Sequence, residues 1–301
     1  MAIRFERPVS RSAFWARRLG FLAALLFLAI FAAFRTGFLS VPDFTRLALM
    51  SAGLAALAVL LAVIGLARLW QVGALGGIAA FRGLVYAAVP LTAAGIAAAA
   101  YLVAPPVYDL STDPADPPPI LKAVAADQEW LPRVQTQAGV AKGRVVYADL
   151  VGRRFDGAPD RVAAAVRRAA RAARIVIVAS EGEEQAGAEP EALPVPGIRG
   201  GGAVPGAPPS IPVPLPRPEP QLLAAPPLLV GKPGDVLFQG QTRTLIFGLP
   251  FDVVVRLREE EDNTLVDVRT VARYGDSDFG IGAQIIRAFL DALETEMLGL
   301  G

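Results

Sequence analysis

The 301-residue chain contains no cysteine and no histidine. Without cysteine there is no disulfide framework, no thiolate nucleophile and no thiolate metal site. Without histidine the commonest general base, the base of serine and cysteine triads and the commonest metal ligand are missing. Aspartate, glutamate, lysine, serine and tyrosine remain for chemistry. A serine–lysine dyad would draw on Lys122, Lys142 or Lys232, but none has a serine at a spacing that suggests one. No cofactor and no metal is expected. Asp109, Asp113 and Asp116 lack the glycine and terminal glutamate of a calcium loop and read as a solvated acidic linker.

Charge is scarce in the first third of the chain. Residues 1–104 carry nine arginines against Glu6 and Asp43, whereas residues 105–301 carry 20 basic and 26 acidic groups. A mildly acidic second part excludes the basic face that nucleic acid requires. Overall, 53% of residues are hydrophobic and the mean hydropathy is +0.46, too apolar for an ordinary soluble domain. The excess lies in three uncharged runs, Leu19–Phe34, Leu47–Ala67 and Gly83–Ala104. A helix of roughly 20 apolar residues crosses a hydrocarbon layer of about 30 Å. The first run is short and resembles a signal-peptide core, but two more spans follow and no small-residue cleavage site stands out, so it reads as an uncleaved span. Between the second and third runs, Leu69–Phe81 is apolar enough to lie in the interface. Pro90 predicts a kink in the third span, and pairs such as Gly95 and Ala99 suggest close helix packing. No ionisable residue interrupts a run, which argues against a pump or ion pathway. Arg4, Arg7, Arg11, Arg17 and Arg18 precede the first span, and Arg68 and Arg82 flank the second loop, against Arg35 and Arg46 in the first. By the positive-inside rule the N-terminus is cytoplasmic and the domain after residue 105 faces outward, in the periplasm of a bacterium with an inner membrane.

Residues 1–104 therefore read as a membrane region, 105–146 as an extended proline-rich linker and arm, and 147–301 as an α+β domain. Prolines at 105, 106, 114 and 117–119 forbid helix in the arm. Leu150–Phe155 reads as a strand and Pro159–Ala173 as a helix with an apolar face of Val162, Val166, Ala169, Ala170 and Ala173. Its other face carries Arg161, Arg167, Arg168, Arg171 and Arg174, which suits solvent, phospholipid headgroups or an acidic partner. Ile175–Ala179 is a β-branched strand. Residues 182–234 hold 14 prolines and nine glycines, a composition that cannot bury a core, so this insert is expected to be disordered. Asp252–Arg258 and Thr264–Arg273 alternate around an acidic turn as an antiparallel hairpin with one packed and one polar face. Arg256, Arg258, Asp267 and Arg269 are placed to pair across its strands. A last helix carries the stripe Ile281, Ile285, Phe289 and Leu293 with Ala288 and Ala292. The fold class is an α-helical membrane anchor plus an α+β domain, an antiparallel sheet with helices packed on one face.

Arg243–Gly248, Asp252–Arg256, Val266–Arg269, Arg273–Gly280 and Arg287–Leu290 together resemble the DUF1499 family of unknown function. Thr112-Asp113-Pro114 matches its entry segment, and the resemblance extends over residues 108–181 and 235–298. Gly282 stands where the family usually has asparagine, and the proline-rich insert is atypical of it. The resemblance implies a fold and membrane spans in front of it, as in many bacterial members, but no activity.

The candidate binding residues are Arg269, Arg273, Asp276, Ser277, Asp278 and Arg287, where the last strand hands over to a helix N-terminus, a natural anion site. The competing reading is structural: Asp278 caps the helix, and Asp276 or Asp278 pairs with Arg273 or Arg287. Two classes of function follow. One is a non-enzymatic envelope protein whose domain interacts with an envelope protein partner or stabilises an assembly. The other binds a lipid or another apolar ligand between sheet and C-terminal helix. Membrane lipid is a partner in either case.

Overall fold

A computed structural model describes residues 8–122, 126, 131, 137–182, 234–261 and 263–299. Apart from its end residues Gly182 and Gly234, the proline-rich insert lies outside the described residues, as does half of the arm after Lys122. Three long helices come first: α1 (Arg11–Arg35), α2 (Val41–Val72) and α3 (Gly77–Val103). All three are long and apolar enough to cross a membrane. Each helix exceeds its uncharged run, because arginines at the ends continue the helix past the apolar stretch. α2 starts where Ser40 Oγ accepts the Asp43 N–H at 3.3 Å, with Pro42 in its first turn. It continues to Val72, so most of Leu69–Phe81, expected as an interfacial loop, is helical, leaving only residues 73–76 as connection.

The helices meet through alanine and glycine. Ala13, Ala16, Ala23, Ala55, Ala58, Ala62, Ala80 and Ala87 are fully buried. A side chain on Gly20 would lie 2.6 Å from the carbonyl oxygen of Gly83, so these two backbones touch. Gly95 has nothing within 4 Å of the corresponding position, and Ala99 is exposed. Close approach is therefore at Gly20 and Gly83 rather than at the expected pair. Phe21, Leu25, Leu28, Leu60, Val63 and Ile96 form part of an exposed apolar belt, as lipid contact requires.

The domain is a six-stranded, wholly antiparallel sheet: β1 (Asp109–Ser111), β2 (Arg153–Asp156), β3 (Val176–Glu181), β4 (Val236–Arg243), β5 (Pro250–Glu259) and β6 (Asn263–Ala272). The order is β1-β6-β5-β4-β3, and β2 pairs with the other end of β6. Among the described residues, helices α4 (Gln137–Val146), α5 (Pro159–Ala172) and α6 (Ile281–Met297) complete it. The core lies between the sheet and helices α5 and α6. Val253, Val255, Leu257, Val266 and Val268 meet Val162, Val166, Ala169, Ile286, Phe289 and Leu293 there. On α6 the buried stripe is Ile286, Phe289, Leu290 and Leu293, with Ile285 at its edge and Ala288 exposed. The expected row stepped by four throughout, which drifts about 40° per step on a helix of 3.6 residues per turn. The mixed three- and four-residue spacing stays on one face.

Two strands differ from expectation. β4 is interrupted in sequence by Gln239, Gly240 and Gln241, which hides its alternation. A side chain on Gly240 would collide with Ile175 Cγ2 and come within 3.2 Å of the Val176 carbonyl, so the glycine lets β3 approach. β1 belongs to the expected linker. Asp109–Ser111 is an edge strand, and residues 137–146 are helical rather than extended.

The largest correction concerns the sheet's second face. The sequence reads it as the polar face of the hairpin, and the acidic arm as a solvated linker leaving the membrane. Instead the arm lies across it: Arg256 and Asp267 are 2% exposed, Gln239 and Val254 0%. The physical reason is pairing. Asp109, Asp113 and Asp116 are the counter-charges of Arg269, Arg256 and Arg258, and a buried arginine needs them.

Candidate functional site

The six candidate residues follow one another along the end of β6, the turn after it and α6, but their side chains do not converge. Arg269 makes a two-pronged pair with Asp109, at 2.8 and 2.6 Å, and donates to the Pro118 carbonyl at 2.8 Å. Arg273 forks onto Asp252 at 3.0 and 2.7 Å. Arg287 reaches out to Asp149, with bonds of 3.0 and 2.7 Å. That hydrogen bond holds the Asp149 carboxyl below its usual range although the side chain is exposed. Arg273 and Arg287 thus pair with Asp252 and Asp149, not with Asp276 or Asp278.

Asp276 accepts from the Tyr101 hydroxyl of α3 at 3.3 Å. Ser277 is buried; its hydroxyl donates to the Pro105 carbonyl at 3.4 Å and accepts the Phe279 N–H at 3.2 Å. Asp278, 2% exposed, accepts the Gly280 N–H at 2.8 Å and the Gly282 N–H at 3.0 Å. The anion that meets the first turn of α6 is therefore the chain's own Asp278. Burial raises the pKa of this carboxyl, and its backbone hydrogen bonds oppose the shift without cancelling it. Gly282 makes the approach possible: a side chain there would strike Asp278 Oδ2 and lie 2.8 Å from Thr270 Oγ1, an oxygen buried without a hydrogen-bond partner. Tyr147 lies beside this turn; burial first, and the Asp278 charge second, raise its pKa.

Residues outside the expected set form the most polar buried group in the domain. Arg256 Nη2 donates to Asp267 Oδ2 at 2.9 Å across the β5–β6 ladder, where the two are register partners. The same guanidinium meets Asp116 Oδ2 at 3.1 Å, the Asp116 carbonyl at 2.9 Å and Asp113 Oδ2 at 3.3 Å. Arg258 adds a bond to Asp116 Oδ2 at 3.1 Å. Burial pulls the Arg256 pKa down, but Asp267, Asp116 and Asp235 more than reverse this, so it stays charged. Gln239 completes the arm's attachment. Its side-chain amide bonds both the N–H and the carbonyl of Lys122 at 2.7 Å, in place of a neighbouring strand. The cross-strand pairing of Arg256 with Asp267 was readable in the hairpin; their covering by an aspartate-rich arm gave only the signal of matched charges.

Hollows open on the surface of the described residues. One, of about 510 Å³, is lined by Arg167, Arg171, Arg174 and Ile175–Ile177. Another, of about 420 Å³, lies against the α2–α3 connection and includes Arg17 and Arg82. Neither touches the six candidate residues.

The profile of the family described as a protein of unknown function, DUF1499, matches residues 226–293. This supports the resemblance over the three central strands and most of α6. No curated protein and no solved structure matches the chain. The chain is thus a membrane-associated protein with three candidate spans and a domain similar to that family.

Proposed function

We propose that the chain is a multi-pass protein of the bacterial inner membrane, with a cytoplasmic N-terminus, holding a non-enzymatic α+β domain on the outer side as an interaction or structural module of the envelope. The observation that carries this reading is where the polar side chains of the candidate turn are spent. Asp276 bonds Tyr101 of α3, Ser277 bonds Pro105 at the end of α3, and Arg269 bonds Asp109 and Pro118 of the arm. These groups fasten a domain to a membrane bundle instead of meeting a substrate. The arginine distribution supports the orientation.

The competing reading, an apolar ligand between sheet and α6, needs a cavity there. Val253, Leu257, Val266, Val268, Ile286, Phe289 and Leu293 each have 0% of their surface reachable by a water-sized sphere. Packing of this kind favours the first reading. Sidedness is tested with reporters fused after residue 301. Alkaline phosphatase there should be active and green fluorescent protein dark; the reverse would overturn the orientation.

A further inference from the structure

The loop between β4 and β5 stands where the domain meets the bundle. It is closed by three hydrogen bonds: Thr244 N–H to the Leu249 carbonyl at 3.0 Å, Gly248 N–H to the Thr244 carbonyl at 2.9 Å, and Leu249 N–H to Thr244 Oγ1 at 2.9 Å. Phe247 turns inward and meets Phe31 of α1 edge-on, ring centres 6.3 Å apart. Phe31 lies about one turn inside the apolar run that ends before Arg35. The loop tip is therefore level with the outer edge of the hydrocarbon. Leu249 also packs at this junction, but the adjacent Leu245 and Ile246 point outward and are 69% and 70% exposed. Scattered exposed apolar residues need no explanation. Two adjacent ones, on a hydrogen-bonded loop whose Phe247 is seated against a membrane-crossing helix, do.

Three arginines stand at the same end of the sheet. Arg243 closes β4 immediately before the loop. The Thr242 hydroxyl donates to the Arg174 carbonyl at 3.0 Å, which brings Arg174 to that end. Arg171 lies in the last turn of α5 and, with Arg174, lines the 510 Å³ hollow. All three are exposed, and none pairs with a carboxylate among the described residues. Arg153, Arg154, Arg168 and Arg287, farther along the domain, each have one.

We propose that this end of the domain is a lipid-binding surface, with Leu245 and Ile246 in the hydrocarbon and Arg171, Arg174 and Arg243 on the phosphates of anionic phospholipids in the same bilayer. An apolar anchor combined with a basic rim is what surface association with a bilayer requires. Guanidinium groups fork onto phosphate oxygens. A free phosphate ion would engage the arginines but leave the two apolar side chains in water. The inference rests on α1 crossing the membrane and holds whichever side the domain faces, so its failure is separable from that of the orientation.

The test uses the full chain in nanodiscs, either of phosphatidylcholine alone or with phosphatidylglycerol. Because the chain has no cysteine, Ile246→Cys and, on the far turn, Glu261→Cys each give one labelling site for an environment-sensitive dye. At 246 the dye should be quenched by spin-labelled lipid and shielded from aqueous iodide, and at 261 the reverse. Equal iodide quenching at both sites would overturn the proposal. Shielding from iodide without quenching by lipid would assign the loop to a protein contact and overturn it too. For the arginines, retained phosphatidylglycerol is counted by mass spectrometry. One arginine near an anionic surface corresponds to about fivefold in affinity. Three such losses multiply to about a hundredfold, so the triple variant Arg171→Gln, Arg174→Gln, Arg243→Gln should retain at least about tenfold less, while the triple lysine variant keeps most of it. Unchanged retention in the glutamine variant, or displacement of the lipid by millimolar inorganic phosphate, would overturn the lipid assignment.

Discussion

Asp278 carries two opposed terms on one carboxylate. It satisfies two amides at the start of α6, and it is a charge held 2% exposed. Replacing it by alanine leaves buried donors without an acceptor, at a cost of about 1–3 kcal/mol. The pH dependence separates the terms. Because burial raises the folded pKa above the unfolded value of about 3.9, the stability it contributes is fully present below that value and lost as pH rises through the folded pKa. Thermal unfolding of the full chain in detergent should therefore show the margin of wild type over Asp278→Asn shrinking as pH rises from about 4 to about 8. A margin that grows over that window would mean that the amide bonds outweigh burial. Complementation of a deletion strain adds the functional arm. Asp278→Ala that destabilises but still complements supports the cap, and a folded variant that fails to complement makes this turn a binding site.

At the scale of elements, the arm is a layer of the domain and not a tether. Its attachment centres on Arg256, whose partners on the sheet and on the arm can be removed separately. Asp267→Ala leaves a buried guanidinium hydrogen-bonded only to arm carboxylates and the Asp116 carbonyl, and should cost about 3–5 kcal/mol. Replacing both partners, Arg256→Met with Asp267→Leu, should restore most of that stability, because a buried ion pair seldom exceeds a well-packed apolar pair. The restored domain should nevertheless hold its arm less firmly, since Asp113 and Asp116 lose the Arg256 guanidinium. Hydrogen exchange at residues 112–116 is the measurement, and exchange as slow as in wild type would show that Arg258, Gln239 and the paired backbone and hydroxyl bonds between Thr112 and Val268 suffice. The same elements explain what could be read beforehand. The β5–β6 hairpin and α5 were legible because each has a continuous periodic pattern, and the three spans because each is an unbroken apolar run of sufficient length. β1 and β4 were not: one is three residues among prolines, the other is broken by Gln239-Gly240-Gln241. At the candidate turn, position offered Ser277 or Asp278 as acceptor for the first helical amides, and it is Asp278 that takes the Gly282 N–H. The partners Asp252, Asp149, Asp109 and Tyr101 were hidden because each comes from a different element, and no local spacing encodes a contact across the fold.

For the whole molecule the question is whether bundle and domain behave as one body or as two units on a string. Ile30, Phe34, Val41 and Phe44 of α1 and α2 form one apolar cluster with Phe247, Leu249 and Tyr274 of the domain. Phe34 stacks on Phe44 with ring centres 4.5 Å apart, giving the domain a stiff floor. Backbone bonds continue the connection: Asp278 N–H donates to the Val107 carbonyl at 2.9 Å and Ala272 N–H to that of Tyr108 at 2.8 Å. A docked domain senses its floor. Phe31 belongs to α1 and touches nothing in the sheet's own core, so a freely swinging domain would melt identically with or without it. Phe31→Leu should instead lower the domain's unfolding transition, and so should Phe247→Leu. If the edge-on contact carries the coupling, the double variant should lose less than the two single losses together, by about 0.5–1.5 kcal/mol. Strict additivity, or a domain transition indifferent to Phe31, would mean that the domain is only tethered. In that case Leu245 and Ile246 would have no fixed depth, whereas a measured coupling places their loop at the hydrocarbon edge with every turn of the bundle.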